Sequence, residues 1–196
     1  MIPSSFIDYY GDQTRWFLGE VVNIKDDPLK LGRARVRIFG VYDEIEEEDL
    51  PWAQIVVPVT HTVHGGNGQT LGLLVGAQVF GIFLDGQNSQ LPLIVGSIPK
   101  EGDRQPLSVE RGEYPYNKVY QTESNHYKEY DDTPEKERIK EYHKSGTHWE
   151  ITNDTFTIGH HSGSNITMDK DGNITIQAGG TGEVKLVSST EVGLNT

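Results

Sequence analysis

Apolar and polar positions alternate in short runs along the first hundred residues. Residues 16–25 (WFLGEVVNIK) read as a strand whose Gly19 marks a bulge or a close backbone approach. The turn DDPLKLG follows, with Pro and Gly where a turn needs them. Residues 33–41 (RARVRIFGV) alternate cleanly, and 51–59 (PWAQIVVPV), 78–84 (QVFGIFL) and 92–98 (PLIVGSI) are short, mostly apolar runs. No segment carries a helical period. The Gly-rich stretch 61–76 is the long loop before the fourth strand.

Short strands bounded by turns predict an all-β chain that begins with a small closed barrel, for which a five-stranded OB-fold is the natural candidate. Residues 101–117 mix charge, Gly and Pro without period and read as a linker. Beyond Trp149 apolar residues return in i, i+2 pairs: Phe156 and Ile158, Ile166 and Met168, Ile174 and Ile176, Val184 and Leu186, Val192 and Leu194. First members are 10, 8, 10 and 8 residues apart, with polar turns such as DKDGN and GGTG between them. So few inward side chains cannot offset the ordering of that much backbone in one chain, and a lone ribbon leaves strand edges unpaired. Three chains wound round one axis solve both problems. The expected organisation is an arm (1–14), a barrel (15–100), the linker (101–117) and, over 118–196, the lead-in and body of an intertwined trimeric β-helix or prism with those ten residues as its core.

Composition narrows the function classes. Net charge is -12, which argues against nucleic acid as a partner, since phosphate binding needs clustered Lys and Arg. Arg33, Arg35 and Arg37 form a local exception, read as the charged, solvated or partner-facing side of a strand, and the run 44–49 (EIEEED) as a solvated loop. Without cysteine there is neither a disulfide nor a thiolate metal site. The N-terminal sequence has no signal-peptide pattern, and no apolar stretch is long enough to span a bilayer.

Candidate chemistry is sparse. His61, His64, His126, His143, His148, His160 and His161 lack zincin spacing and read as loop and strand-surface side chains, so no metal or other cofactor is expected. The carboxylates Asp131, Asp132, Glu135, Glu137, Glu141 and Glu150 read as a solvated run, not a glycosidase pair. HGGNGQTLG lacks the ending of a phosphate loop, and no G-x-S-x-G elbow is present. No catalytic residue is assigned and the chain is read as a non-enzyme. A binding module for oligosaccharide or single-stranded nucleic acid is the alternative. It would use Phe39, Tyr42 and Phe80, although strand positions place Phe39 and Phe80 in the core.

Residues 16–40 with their D-P-L-K-L-G-R-x-R-V-R segment, 50–60 with L-P-W, 76–86 and 93–98 resemble the N-terminal OB-fold of the central spike (tail lysozyme) proteins of contractile-tailed phages. The residues carrying the motif are Trp16, Asp27, Pro28, Leu29, Lys30, Leu31, Gly32, Arg33, Arg35, Val36, Arg37, Pro51 and Trp52. Residues 130–139 (YDDTPEKERI) and 143–151 (HKSGTHWEI) are similar to the β-helix lead-in of phage spikes and of VgrG proteins of type VI secretion. The resemblance implies a homotrimer in the virion's tail baseplate, assembled in the host cytoplasm. Its barrels would attach to a trimeric hub under the tail tube, and its β-helix would be driven through the host outer membrane. Lysozyme-bearing members hold an enzyme domain where this chain has only 101–142, so their activity is not carried over. The ending EVGLNT lacks the His-x-His of iron-binding tips, which implies a separate PAAR-type cap. Phe6, Ile7, Tyr9 and Tyr10 make the arm more apolar than a free tail needs and mark it as a hub contact.

Overall fold

The computed structural model describes residues 14–69, 72–101, 103 and 113–187. Phe6, Ile7, Tyr9, Tyr10, Val192 and Leu194 lie outside the described residues. The described elements are strands and three single-turn 3-10 helices, and the chain divides into two compact units between Asp103 and Arg104. No helix among the described residues is long and apolar enough to cross a membrane.

In the first unit β1 (Arg15–Asn23), β2 (Ala34–Ile38), β3 (Trp52–Ile55), β4 (Gln78–Phe83) and β5 (Pro92–Ile98) close into a barrel in the order β1-β2-β3-β5-β4. Pairing is antiparallel except between β3 and β5, where Gln54 lies beside Leu93 and Ile55 beside Ile94. The period of two sends Phe17, Val21, Val36, Ile38, Val79 and Ile94 inward, joined by Leu50 and Tyr42 from the β2–β3 connection. The Tyr42 hydroxyl donates to the Ser89 carbonyl. Burial, with the Asp85 charge adding, pushes its pKa up to about 12.

Gly19 is a close-approach glycine. A Cβ there would stand 2.6 Å from Val36 Cγ1 and 2.7 Å from the Arg37 carbonyl oxygen. The bulge lies further on, where the β1–β2 register shifts between Val21 and Asn23. Gly19→Ala is therefore expected to overpack the barrel and cost about 1–3 kcal/mol, read as a lowered urea midpoint by the fluorescence of Trp16 and Trp52.

The same alternation corrects one expectation. Phe80 falls between inward Val79 and Gly81, so it points outward and lies 6.4 Å from the ring of Trp16. Phe39, one residue past β2, is 50% exposed. Neither is core.

The second unit is one antiparallel sheet in chain order, built from β6 (Asn117–Gln121), β7 (Tyr127–Asp131), β8 (Arg138–Tyr142), β9 (His148–Thr152), β10 (Thr155–Gly159), β11 (Asn165–Asp169) and β12 (Ile174–Gln177). Tight hairpins join them. In the β10–β11 turn the amide of Gly163 donates to the His160 carbonyl and that of His160 to the Ser164 carbonyl, with Gly163 at φ 91°. Strands of a wound ribbon would leave their edges to other chains, but here every strand from β7 to β11 is paired on both sides within the chain. Residues 178–187 form no strand, so Val184 and Leu186 lie exposed past β12.

Candidate functional site

The motif residues of the barrel form a scaffold around one carboxylate. Asp27 is buried and accepts from the amides of Leu29 (3.0 Å), Leu31 (2.8 Å) and Arg33 (3.2 Å). It also takes a two-pronged pair from Arg33, Nε at 3.1 Å and Nη2 at 2.7 Å. The Arg33 guanidinium holds the carboxyl well below the usual carboxylate range; burial opposes this and the three amides add to it. Lys30 (φ 52°) and Gly32 (φ 73°) both take left-handed backbone, and Gly32 does so without strain. Winding the loop round Asp27 turns Leu29 and Leu31 to solvent, Leu31 67% exposed, with Pro28 also on the surface.

Arg35 and Arg37 are half-buried and bonded to the chain's own backbone. Arg35 Nη1 donates to the Glu47 carbonyl at 2.7 Å, and its guanidinium lies 4.8 Å from the ring centre of Trp52, its partner across β2 and β3. Arg37 Nη1 donates to the carbonyls of Tyr42, at 2.9 Å, and of Ile45. Their partners are backbone oxygens of the acidic connection that directly follows β2 and folds back over it, and this corrects the solvated reading. Pro51 leads directly into Trp52, and the preceding Leu50 is core. D-P-L-K-L-G-R-x-R-V-R and L-P-W are thus one interlocked frame.

The frame leaves an apolar patch on the barrel's outer wall. Trp16 lies opposite Ile82 and Leu18 opposite Phe80 across β1 and β4, and Ile82 opposite Leu93 across β4 and β5. Trp16 is 64% exposed. The one basic residue on β1, Arg15, is engaged with Ser89 and the Phe83 ring, so the patch is apolar rather than a basic stacking groove.

The two faces of the second sheet differ sharply. Register puts Tyr130, Ile139, Ile151, Phe156, Met168 and Ile174 in one row, and Glu141, Trp149, Ile158, Ile166 and Ile176 in the next, on the same face. All six core residues expected between Phe156 and Ile176 therefore share one face. Ile176 is 53% exposed, and none of the six is buried. Ile139, Trp149 and Ile151 extend that face and were absent from the expected core, although Trp149 and Ile151 form the same i, i+2 pair. Across the sheet runs Glu129, Lys140, Glu150, Thr157, Thr167, Thr175.

The polar face holds a network the charge run concealed. Glu129, only 2% exposed, accepts from Asn117 at 2.9 Å and from Arg138 Nε at 3.1 Å. Asp131 is buried and accepts from Thr133 and Arg138, while Glu150 pairs with Lys140 at 3.0 Å. These carboxylates are tied to cations rather than solvated, because alternate residues of β7 to β9 share a face. Among the described residues no group of three or more His, Asp or Glu is placed to hold a metal. His61 and His64 are exposed in the β3–β4 loop. His148 follows the Tyr127–Tyr142 ring stack, and His126, His143, His160 and His161 sit at hairpin turns.

Residues 38–145 match the family model described as the Gp5 N-terminal OB domain, from the end of β2 into the second sheet. The chain belongs to that family. Its relatives include the pre-baseplate central spike protein Gp5 of Enterobacteria phage T4, 36% identical over 89 residues, which span 40% of this chain and 15% of that protein. Protein Gp5 of Vibrio phage KVP40 is 25% identical over 268 residues, spanning 84% of this chain and 64% of that protein. The chain thus spans less than two thirds of either relative. The second alignment is longer than the 196-residue chain, so that relative carries residues within the matched span that this chain lacks.

Proposed function

We propose that this chain is the central spike of a phage-tail baseplate, a homotrimer whose shared core is the apolar face of the second sheet. The observation that carries the reading is that face: a continuous strip from Ile139 to Ile176 left open, opposite a face whose buried charges on β7 to β9 are paired with one another. Soluble chains rarely leave so broad an apolar strip uncovered. From residue 178 on, the chains wind round one another, adding Val184, Leu186, Val192 and Leu194 to the core. The barrel attaches to the trimeric hub through its outer patch around Trp16 and through the arm at Phe6, Ile7, Tyr9 and Tyr10. A PAAR-type protein caps the far end, and the assembly is driven through the host outer membrane. Its work is mechanical, without catalysis, cofactor or nucleic acid. The inserted residues of the Vibrio phage relative fit a lineage in which an intervening domain is present in some members and missing here.

The alternative, a barrel that binds oligosaccharide or single-stranded nucleic acid, gains the outward Trp16 and Phe80 but lacks basic residues around them. Co-purification separates the two. The full chain should co-elute with the hub protein of the same particle in equal numbers, and Trp16→Ala should weaken that complex about tenfold or more, as loss of a central aromatic anchor does. Failure to bind the hub, together with micromolar binding to an oligonucleotide, would favour the alternative.

A further inference from the structure

The two lateral edges of the second sheet carry opposite chemistry. Hairpins at 122–126, 143–147 and 160–164 line one edge and hold four histidines, one glutamate and one lysine. Turns at 132–137, 153–154 and 169–173 line the other and hold six carboxylates and two lysines. On the first edge His126 and His143 lie with ring centres 4.5 Å apart, and His161 reaches Thr147 Oγ1 at 3.4 Å. On the second, the Asn153 amide holds the Glu137 carboxyl below the usual range, and the Asn173 amide does the same for Asp169. The lysines there are partly spent: Lys170 pairs with Asp154 at 3.5 Å and Lys136 with Glu113 at 3.1 Å, while Lys118 from β6 pairs with Asp132. Carboxylates remain in excess.

We propose that the histidine edge of each sheet docks against the acidic edge of a second copy, so that three sheets close head to tail around their apolar faces. The inference rests on the trimer reading above and adds which edges meet. Three copies about a rotation axis make heterologous contacts, in which one edge always meets the other kind. If the ladder runs along that axis, rotation keeps each strand at its own level. The β7–β8 level then brings His126 and His143 against Asp132 and Glu137, and the β9–β10 level brings His160 against Asp154. Imidazole N–H groups are donors and carboxylates are acceptors, so each level is complementary and a contact between two acidic edges is disfavoured.

The absence of cysteine makes the test clean. Glu137 and His143 flank the two ends of β8, and Asp154 and His160 those of β10. Each pair is therefore about 20 Å apart within one chain at ~3.3 Å per residue, too far for a disulfide, which needs Cα atoms within about 7 Å. The double variants Glu137→Cys/His143→Cys and Asp154→Cys/His160→Cys of the full chain are oxidised with copper phenanthroline and run on a denaturing gel. The expected product is a covalent trimer that dithiothreitol returns to monomer, with each single variant remaining monomeric. Two double variants that stay monomeric while the unaltered chain sediments as a trimer would overturn the edge assignment alone. Dimers from the His143→Cys single variant would overturn it too, since like edges would then meet. Covalent dimers as the end product of the double variants would exclude a closed ring of three. An unaltered chain that sediments as a monomer removes the trimer reading and this inference together.

Discussion

Ile176→Asp is expected to abolish assembly, whereas Thr175→Asp leaves it intact. Ile176 lies opposite Ile166 on the apolar face, and Thr175 opposite Thr167 on the polar face. In the proposed trimer the first substitution sets three carboxylates at one level of an apolar core, where each must be protonated or remain without a counter-charge. Each uncompensated group costs about 1–3 kcal/mol or more, and threefold symmetry multiplies that loss. The second places its carboxylate where solvent reaches it, a change normally within about 0.5 kcal/mol. An unboiled detergent gel reads the contrast, since separating wound chains is slow. Equal behaviour of the two variants would contradict the assignment of faces.

The second large effect concerns the barrel. Asp27→Ala removes the acceptor of three amides and of the Arg33 guanidinium, leaving a largely buried cation without its partner. Breaking a buried pair from one side costs about 3–5 kcal/mol, which in a domain of this size lowers Tm by on the order of 15 °C. Because the folded carboxyl titrates below its unfolded value of about 3.9, its contribution is complete above that pH and is lost as pH falls through and below it. Acid titration followed by Trp52 fluorescence should therefore show unfolding below about pH 4, with a much flatter profile in Asp27→Asn. An unchanged acid midpoint in that variant would place the pH sensitivity elsewhere.

What was legible in the sequence follows from what is local. Five barrel strands and the outward or inward parity of residues 156–176 can be read because side chains alternate along a strand. The run QVFGIFL does not say which alternate set is inward; that choice is made by β1, whose Phe17 ring packs against the backbone at Gly81. The roles of Arg35 and Arg37 were equally hidden, since their acceptors are backbone carbonyls, which no side-chain pattern marks, in the connection that folds back over β2. Asp131 looked solvated within a charged run because its cation, Arg138, comes from the next strand. Paired apolar residues every eight to ten positions suit a hairpin meander as well as a wound ribbon; the closing turns, such as the one at Gly163, decide for the meander through Gln177. The frame around Asp27 could be seen as a motif, but its purpose could not, because five donors converge on it only after the loop has folded.

The most direct test of the central claim is the mass of the full chain in solution by sedimentation equilibrium. The apolar face of the second sheet, buried in a closed ring, predicts a single species of three times the 21.9 kDa chain mass that does not dissociate on dilution. A species of one chain mass at all concentrations would contradict it.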